Sequence, residues 1–340
     1  MPLLSLKEGP LRPYLELTRP PALCTAPADA LTGLAWSAGL WACLHASTPT
    51  LRSQGACLTL SPWVNRELSA QLSHGYPLTP MLLCALCSVL IYAAGMICND
   101  LFDLEVDRAE RPARPLPSGR ASLSVAWCSA LTLQLGALGV AAQLSELSVY
   151  AALFTIGCTY LYNALLKSRA LLGPLSMASC RVGNGLIGAS ALVSALPEQP
   201  LKWALSGSLP WLLGGTGLYV AALTWLSRYE VEGGAQAKRV SKLLWGLSLT
   251  PLLWLGVGWL SWGALLCLWV AWRLWRAFSP LWAEQEPSAR AVQGSMMSGI
   301  QGVALMNMAL CAGLGAWSYA LIIFGLGRLA RRVGRWFYAT

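Results

Sequence analysis

Asn99-Asp100-Leu101-Phe102-Asp103-Leu104-Glu105-Val106-Asp107-Arg108 follows directly on the apolar run 78–98. That run is long enough for one crossing, since about 20 apolar residues at ~1.5 Å each cover a ~30 Å hydrocarbon core. If the helix continues through the acidic stretch, Asp100, Asp103 and Asp107 fall at i, i+3 and i+7 and share one face. Glu105 points roughly the other way. Three carboxylates at the end of a spanning helix repel one another unless a cation sits between them. Carboxylate oxygens suit Mg²⁺, which binds through one or two acids and completes its shell with water and phosphate oxygens. The stripe therefore reads as a Mg²⁺–diphosphate site, with Asn99 beside it; a solvated acidic helix end is the plainer alternative.

Composition agrees with a membrane bundle. Of the 340 residues, 56% are apolar and 11% charged, and the mean hydropathy is +0.53. A soluble domain carries roughly 25% charged residues, so a water-facing surface is excluded for most of the chain. The formal net charge of +9 does not indicate nucleic acid, because the Lys and Arg are scattered between apolar runs. The 11 cysteines lie mostly in or beside those runs and act as small apolar residues. Cys84 and Cys87 form one CxxC without a second pair or a nearby His. His45 and His74 fall in a polar segment between helices. The proline-rich first 20 residues show no secretory signal.

Spans are predicted near 22–44, 78–98, 121–143, 147–164, 171–195, 209–227, 241–257, 259–276 and 299–325. These nine form one domain over residues 1–340, an all-α polytopic bundle around a central cavity. The turn between the seventh and eighth falls near Gly256–Gly263, and residues 46–77 make a polar outer loop. Loop charge orients the bundle. Lys7, Arg12 and Arg19 lie inside, with Arg108, Arg111, Arg114, Arg120, Lys167 and Arg169. Arg228, Lys238, Arg239, Lys242, Arg276 and Arg290 follow on that side. Only Arg52, Arg66 and Lys202 lie outside. Nine spans leave Arg328, Arg331, Arg332 and Arg335 outside against this rule. Either the last segment turns back as a hairpin, or one helix breaks the pattern. Many of the 17 tryptophans, among them Trp203, Trp211, Trp259, Trp262, Trp272, Trp275 and Trp282, form an interfacial belt.

The loop Arg111-Pro112-Ala113-Arg114-Pro115-Leu116-Pro117-Ser118-Gly119 is stiffened by proline. Arg111 and Arg114 offer forked donors to phosphate oxygens. Asp29, in the first span, is costly there unless paired or facing a cavity. Arg181 and Asn184 in the fifth either face the diphosphate or pair with Asp29. Gly183 and Gly185 beside them allow close helix packing.

NDLFDLEVDR followed by RPARPLPSG resembles the first signature of the UbiA superfamily of intramembrane prenyltransferases. Leu17-Thr18-Arg19-Pro20 looks like the family's entry to its first helix. Tyr160-Leu161-Tyr162-Asn163-Ala164-Leu165-Leu166-Lys167 is similar to its segment after the fourth, with Asn163 where Ser is usual. The resemblance implies nine helices around a cavity that opens to lipid, and an isoprenyl diphosphate bound through Mg²⁺ at two acidic motifs. Loss of diphosphate then gives an allylic cation that a lipophilic or aromatic acceptor attacks. By the same resemblance Asp100, Asp103 and Asp107 hold metal, Arg114 and Lys167 contact diphosphate, and Tyr162 lies near the cavity.

The second motif departs from the family pattern. Thr224-Trp225-Leu226-Ser227-Arg228-Tyr229-Glu230-Val231-Glu232 offers Glu230 as its one well-placed carboxylate, with Glu232 a poorer candidate. Arg228 stands where an acid is expected and is placed to bind phosphate directly. The form LTWLSRYE resembles the EboC-like branch of the superfamily. Two rivals follow: a non-catalytic binder or transporter of a hydrophobic metabolite, and an ion-coupled transporter, which needs more charge at mid-membrane than Asp29 and Arg181 supply. The location expected is a bacterial inner membrane.

Overall fold

The computed structural model describes residues 9–44, 78–193, 209–231, 233–255 and 262–338. Expectations for His45, His74, the loop 46–77, Arg52, Arg66, Lys202, Trp203, Trp259, Glu232 and most of the turn 256–263 lie outside them.

The chain enters through two short helices, α1 (Arg12–Thr18) and α2 (Pro20–Leu23), before α3 (Pro27–Leu44). The long α4 (Leu78–Phe102) leads into α5 (Leu104–Glu110), then α6 (Leu123–Ala142) and α7 (Glu146–Leu161). A π-helical turn over Tyr162–Leu166 precedes α8 (Leu172–Val193) and α9 (Leu209–Leu226). The seventh predicted span is broken into α10 (Ala235–Leu247) and α11 (Thr250–Leu255). Pro251 has no N–H with which to continue the ladder of α10 and is tolerated in the first turn of α11. Helices α12 (Trp262–Ala283), α13 (Ala289–Gly313) and α14 (Trp317–Tyr338) complete the bundle. Caps fall where the sequence supplies them: Ser145 Oγ accepts from Ser148 N at 3.0 Å and Ser288 Oγ from Ala291 N at 3.3 Å.

The protein is an all-α, multi-pass membrane protein. Five helices among the described residues are long and apolar enough to cross a membrane: Leu78–Phe102, Leu123–Ala142, Glu146–Leu166, Leu209–Tyr229 and Ala289–Gly313. The full set of nine is thus not recovered on length and hydropathy. Helix α8 is diluted by Gly, Ser, Asn184 and Arg181, and α12 by Arg273, Arg276 and several Trp.

Helix α8 is central, packing against α3, α7 and α9. Its approach to α3 is backbone on backbone. A Cβ on Gly33 would sit 2.0 Å from the Gly185 carbonyl oxygen, and one on Gly188 would sit 1.8 Å from that of Ala30. Small residues at such a crossing let dispersion contacts replace the hydrophobic drive that is missing in lipid.

The predicted ninth span divides. Gly315 takes φ +79°, a conformation open mainly to glycine, and turns the chain between α13 and α14. Helix α14 packs on α13 and α2, and Gly334 lies beside Pro21. Arg328, Arg331 and Arg332 therefore return toward the face that carries Arg19. Of the two readings of the C-terminal arginines, the structure has the turn-back.

Candidate functional site

Helix α4 ends at Phe102, and Asp103 leaves helical geometry at ψ 3° before α5 begins. The hydrogen-bond ladder still runs through, from Asp103 N to Asn99 O at 3.0 Å and from Asp107 N to Asp103 O at 2.8 Å. The acidic stripe survives the break for that reason. Phe102 holds the end of α4 by edge-to-face contacts with Trp127 and Tyr160 at 5.8 and 6.1 Å. Glu105 is exposed and pairs with Arg108 at 2.6 Å, away from the stripe.

Three cations meet the three aspartates. Arg19 Nη2 donates to Asp100 Oδ1 at 2.7 Å. Arg114 Nη1 donates to Asp107 Oδ2 at 2.6 Å and reaches Asp100 Oδ1 at 3.5 Å. Lys167 forms an ion pair with Asp103 and donates to Asn99 Oδ1 at 3.0 Å. Asn99 ties the two ends together, donating to Asp103 Oδ2 at 3.2 Å and Asp100 Oδ1 at 3.4 Å. Asp100 and Asp107 are buried, so their charges depend on these partners.

Local backbone chemistry sets each cation. Gly119, at φ +73°, and the turn from Arg114 N to Arg111 O fold the proline loop back over the aspartates. The π-helical turn, closed by Lys167 N to Tyr162 O at 2.9 Å, delivers Lys167 to Asp103. Arg19 adopts φ 49°, ψ 66°, unusual for a side-chain-bearing residue, between α1 and α2. Sequence reading placed Arg19 in an entry motif without giving it a site role. The Thr18-Arg19-Pro20 step itself was the available signal.

The stripe lies between two spaces. Outward is an open cleft of about 610 Å³ whose lining includes Arg12, Arg19, Arg111, Arg114 and Arg120 with Glu16 and Glu110. Inward is a small cavity of about 70 Å³ lined in part by Tyr92, Asn99, Tyr162, Asn163, Arg181 and Asn184. The side-chain oxygens of Asn163 and Asn184 are buried there without a hydrogen-bond partner among the described residues.

The intramembrane polar residues divide in role. Asp29 accepts from Arg181 Nε at 2.9 Å, from Asn307 Nδ2 at 2.8 Å and from Asn184 Nδ2 at 3.4 Å. It is 2% exposed and does not line the inner cavity, which Arg181 and Asn184 do. Arg181 and Asn184 thus pair with Asp29, as one of the two readings had it, and also line the inner cavity, as the other requires. Both oxygens of Asp29 are engaged in that network.

The second motif is also re-read. Arg228 Nη2 donates to the carbonyl of Arg169 at 2.6 Å and to that of Lys167 at 3.5 Å. Through Nη2 it pins the loop carrying Lys167. The Glu230 carboxylate makes no ion pair within 4 Å among the described residues. Burial pushes it above the ordinary carboxyl range, and the charge of Arg111 works against that rise. Arg111, which also lies 3.9 Å from Asp107, thus faces both motifs.

The donors suit a hard divalent cation. Asp100 Oδ2 and Asp103 Oδ1 are reached by no hydrogen bond among the described residues. No three His, Cys, Asp or Glu side chains among those residues gather closely enough to hold a metal alone. An open set of hard oxygens fits an ion completed by phosphate and water, as Mg²⁺ prefers, and does not fit a closed protein cage.

The chain is similar to known proteins in sequence and in fold. Digeranylgeranylglyceryl phosphate synthase of Sulfurisphaera tokodaii is 31% identical over 144 residues, 42% of this chain and 47% of that protein. The Methanosarcina barkeri protein of the same name is 37% identical over 116 residues, 34% and 40% respectively. The chain thus spans less than half the length of these relatives. Among solved structures, one of digeranylgeranylglyceryl phosphate synthase superposes with a TM-score of 0.54 at 20% identity, covering 91% of this chain and 99% of that one. A UbiA homologue from Archaeoglobus fulgidus bound to GPP and Mg²⁺ superposes at 0.53 with 16% identity, covering 90% and 99%. The model of the UbiA prenyltransferase family matches residues 68–299, more than half the chain, and the protein belongs to that family.

Proposed function

We propose that this protein transfers an isoprenyl group from an isoprenyl diphosphate to a lipophilic acceptor within the membrane. The observation that carries the reading is the single cluster in which Asp100, Asp103 and Asp107 meet Arg19, Arg114 and Lys167, next to the cavity that Asn99 lines. Asp100, Asp103 and Asp107 would hold Mg²⁺, which supplies charge neutralisation to the departing diphosphate. Arg114 and Lys167 move their spare hydrogen bonds onto phosphate oxygens as negative charge grows there. Arg111 serves the same anion from the cleft side, and Glu230 is the remaining acid of the second motif. Tyr162 walls the inner space and excludes water from an electron-poor carbon.

The names of the relatives favour a glyceryl phosphate lipid as the first acceptor class to test, ahead of an aromatic one. The chain works as one domain over residues 1–340. Loop charge supports a cytoplasmic acidic face, and a bacterial inner membrane fits as well as the archaeal setting of the relatives. A non-catalytic carrier remains the rival because Glu230 stands alone in the second motif.

The deciding experiment is binding of geranyl and longer isoprenyl diphosphates to purified protein with and without Mg²⁺. Mg²⁺-dependent binding that Asp103→Ala abolishes is the expected result. Binding indifferent to both Mg²⁺ and Asp103 would remove the site assignment. Binding without turnover against any lipid acceptor would favour the carrier.

A further inference from the structure

A second sizeable space lies away from the acidic cluster. It is a cavity of about 660 Å³ between α2, α12, α13 and α14, within the ~300–1,000 Å³ range of small-molecule sites. Its lining is almost wholly apolar, with Arg273, Gln301 and Arg331 as its prominent polar groups.

These groups are ordered along the cavity. Helices α12 and α14 run toward the acidic face while α13 runs away from it. Arg273 and Arg331 therefore lie nearer that face than Trp269 and Phe324 do, and Gly334 beyond Arg331 lies beside Pro21. Trp269, Leu305, Ile323 and Phe324 lie deeper. The cavity is charged at the end nearest the acidic face and greasy below, which is the profile of a lipid standing in one leaflet. Arg273 has no carboxylate within 4 Å among the described residues. Its guanidinium rests over the Trp269 ring at 5.6 Å, a contact that leaves its in-plane donors unused. An arginine near a membrane interface without an acidic partner is placed for an anion, and basic pockets between helices suit phosphate headgroups. Gly327 lines the space and a Cβ there would meet nothing within 4 Å.

We infer that this cavity binds an anionic phospholipid, its phosphate on Arg273 and Arg331 and one chain packed between α12, α13 and α14. The site is distinct from the diphosphate site and needs neither Mg²⁺ nor catalysis. Helix α14 is then a lipid-clasping element added beside the bundle, which accounts for its arginines returning to this face.

The test is native mass spectrometry on the full chain in detergent, titrated separately with dioleoyl phosphatidic acid, dioleoyl phosphatidylcholine and glycerol 3-phosphate. Phosphatidic acid should bind at least tenfold tighter than phosphatidylcholine, and the headgroup alone should not be retained. Arg273→Gln should weaken phosphatidic acid about tenfold, and Gly327→Phe should block it by filling the space. Both variants should keep their Mg²⁺-dependent affinity for geranylgeranyl diphosphate, which separates this inference from the catalytic reading. Equal retention of the two phospholipids would overturn it. So would phosphatidic acid binding that both variants leave intact, since that describes lipid lying anywhere on the bundle. Retention of glycerol 3-phosphate at equal strength would reduce the site to a phosphate contact without a chain.

Discussion

Arg114 bridges two buried carboxylates, donating to Asp107 at 2.6 Å and reaching Asp100 at 3.5 Å, while itself remaining about a quarter exposed. A cation shared between acids about two turns apart on the same stripe can shift toward a phosphate without leaving either acid wholly unpaired. It therefore joins structural and chemical roles in one side chain. Arg114→Ala should destabilise the protein by about 1–3 kcal/mol, the usual cost of stranding a buried partner, and abolish isoprenyl diphosphate binding. Adding Asp107→Asn should recover most of the stability and none of the binding. Thermal unfolding in detergent beside a binding titration makes the comparison; recovery of both together would mean that Arg114 acts only as a brace.

Lys167 reaches Asp103 and Asn99 only because a π-helical turn displaces it from the axis of α7. Lys167→Met removes one charge-assisted contact to phosphate. Diphosphate affinity should fall by about 10- to 100-fold, corresponding to ~1.4–2.7 kcal/mol. Mg²⁺ dependence should persist, since the aspartates are untouched. Arg228→Ala should lower affinity less, by loosening the loop that Arg228 holds through the carbonyls of Lys167 and Arg169. An Arg228 effect larger than that of Lys167 would restore direct phosphate binding to Arg228.

Glu230 is the group outside the spans whose ionisation is displaced, upward, by burial and despite Arg111. A carboxyl raised above its unfolded value holds its proton more firmly in the folded state. Its contribution to stability is complete below the unfolded value and is lost as pH rises through the folded one. Glu230→Gln should therefore be at least as stable as the parent at pH 7, with a flatter stability profile from pH 4 to 7. If Glu230 also serves the metal, the same variant weakens Mg²⁺-dependent diphosphate binding at pH 7. A variant unchanged in binding would leave the first motif to act alone.

What the sequence disclosed divides along physical lines. The stripe of Asp100, Asp103 and Asp107 was legible because helical periodicity fixes a face even where the helix breaks at Asp103. The partnership of Arg114 and Lys167 with that stripe was carried by family resemblance. Arg19 was hidden: its role depends on a left-handed backbone and on packing of α1 and α2 against α4, which no local pattern encodes. The carbonyl contacts of Arg228 were hidden too, because a charge beside an acidic site looks the same in sequence whether it faces phosphate or a neighbouring carbonyl. Gly315 was readable only in hindsight, since a glycine within an apolar run signals close packing as readily as a reversal.

The buried network around Asp29 gives the last test. Arg181 contacts Asp29 at 2.9 Å with side chains 12% and 2% exposed, and Asn307 and Asn184 supply the other hydrogen bonds. Removing one member leaves an uncompensated charge among helices α3, α8 and α13, at a cost of about 3–5 kcal/mol for a buried pair. Asp29→Leu alone should unfold at markedly lower temperature. Asp29→Leu with Arg181→Leu should recover much of that loss, because neither charge then needs solvation. The double variant bears on function separately. Arg181 lines the cavity beneath Asn99, so if it only braces Asp29, the double variant keeps isoprenyl diphosphate affinity within about twofold. A double variant that is stable but fails to bind diphosphate would move Arg181 from the brace into the substrate site.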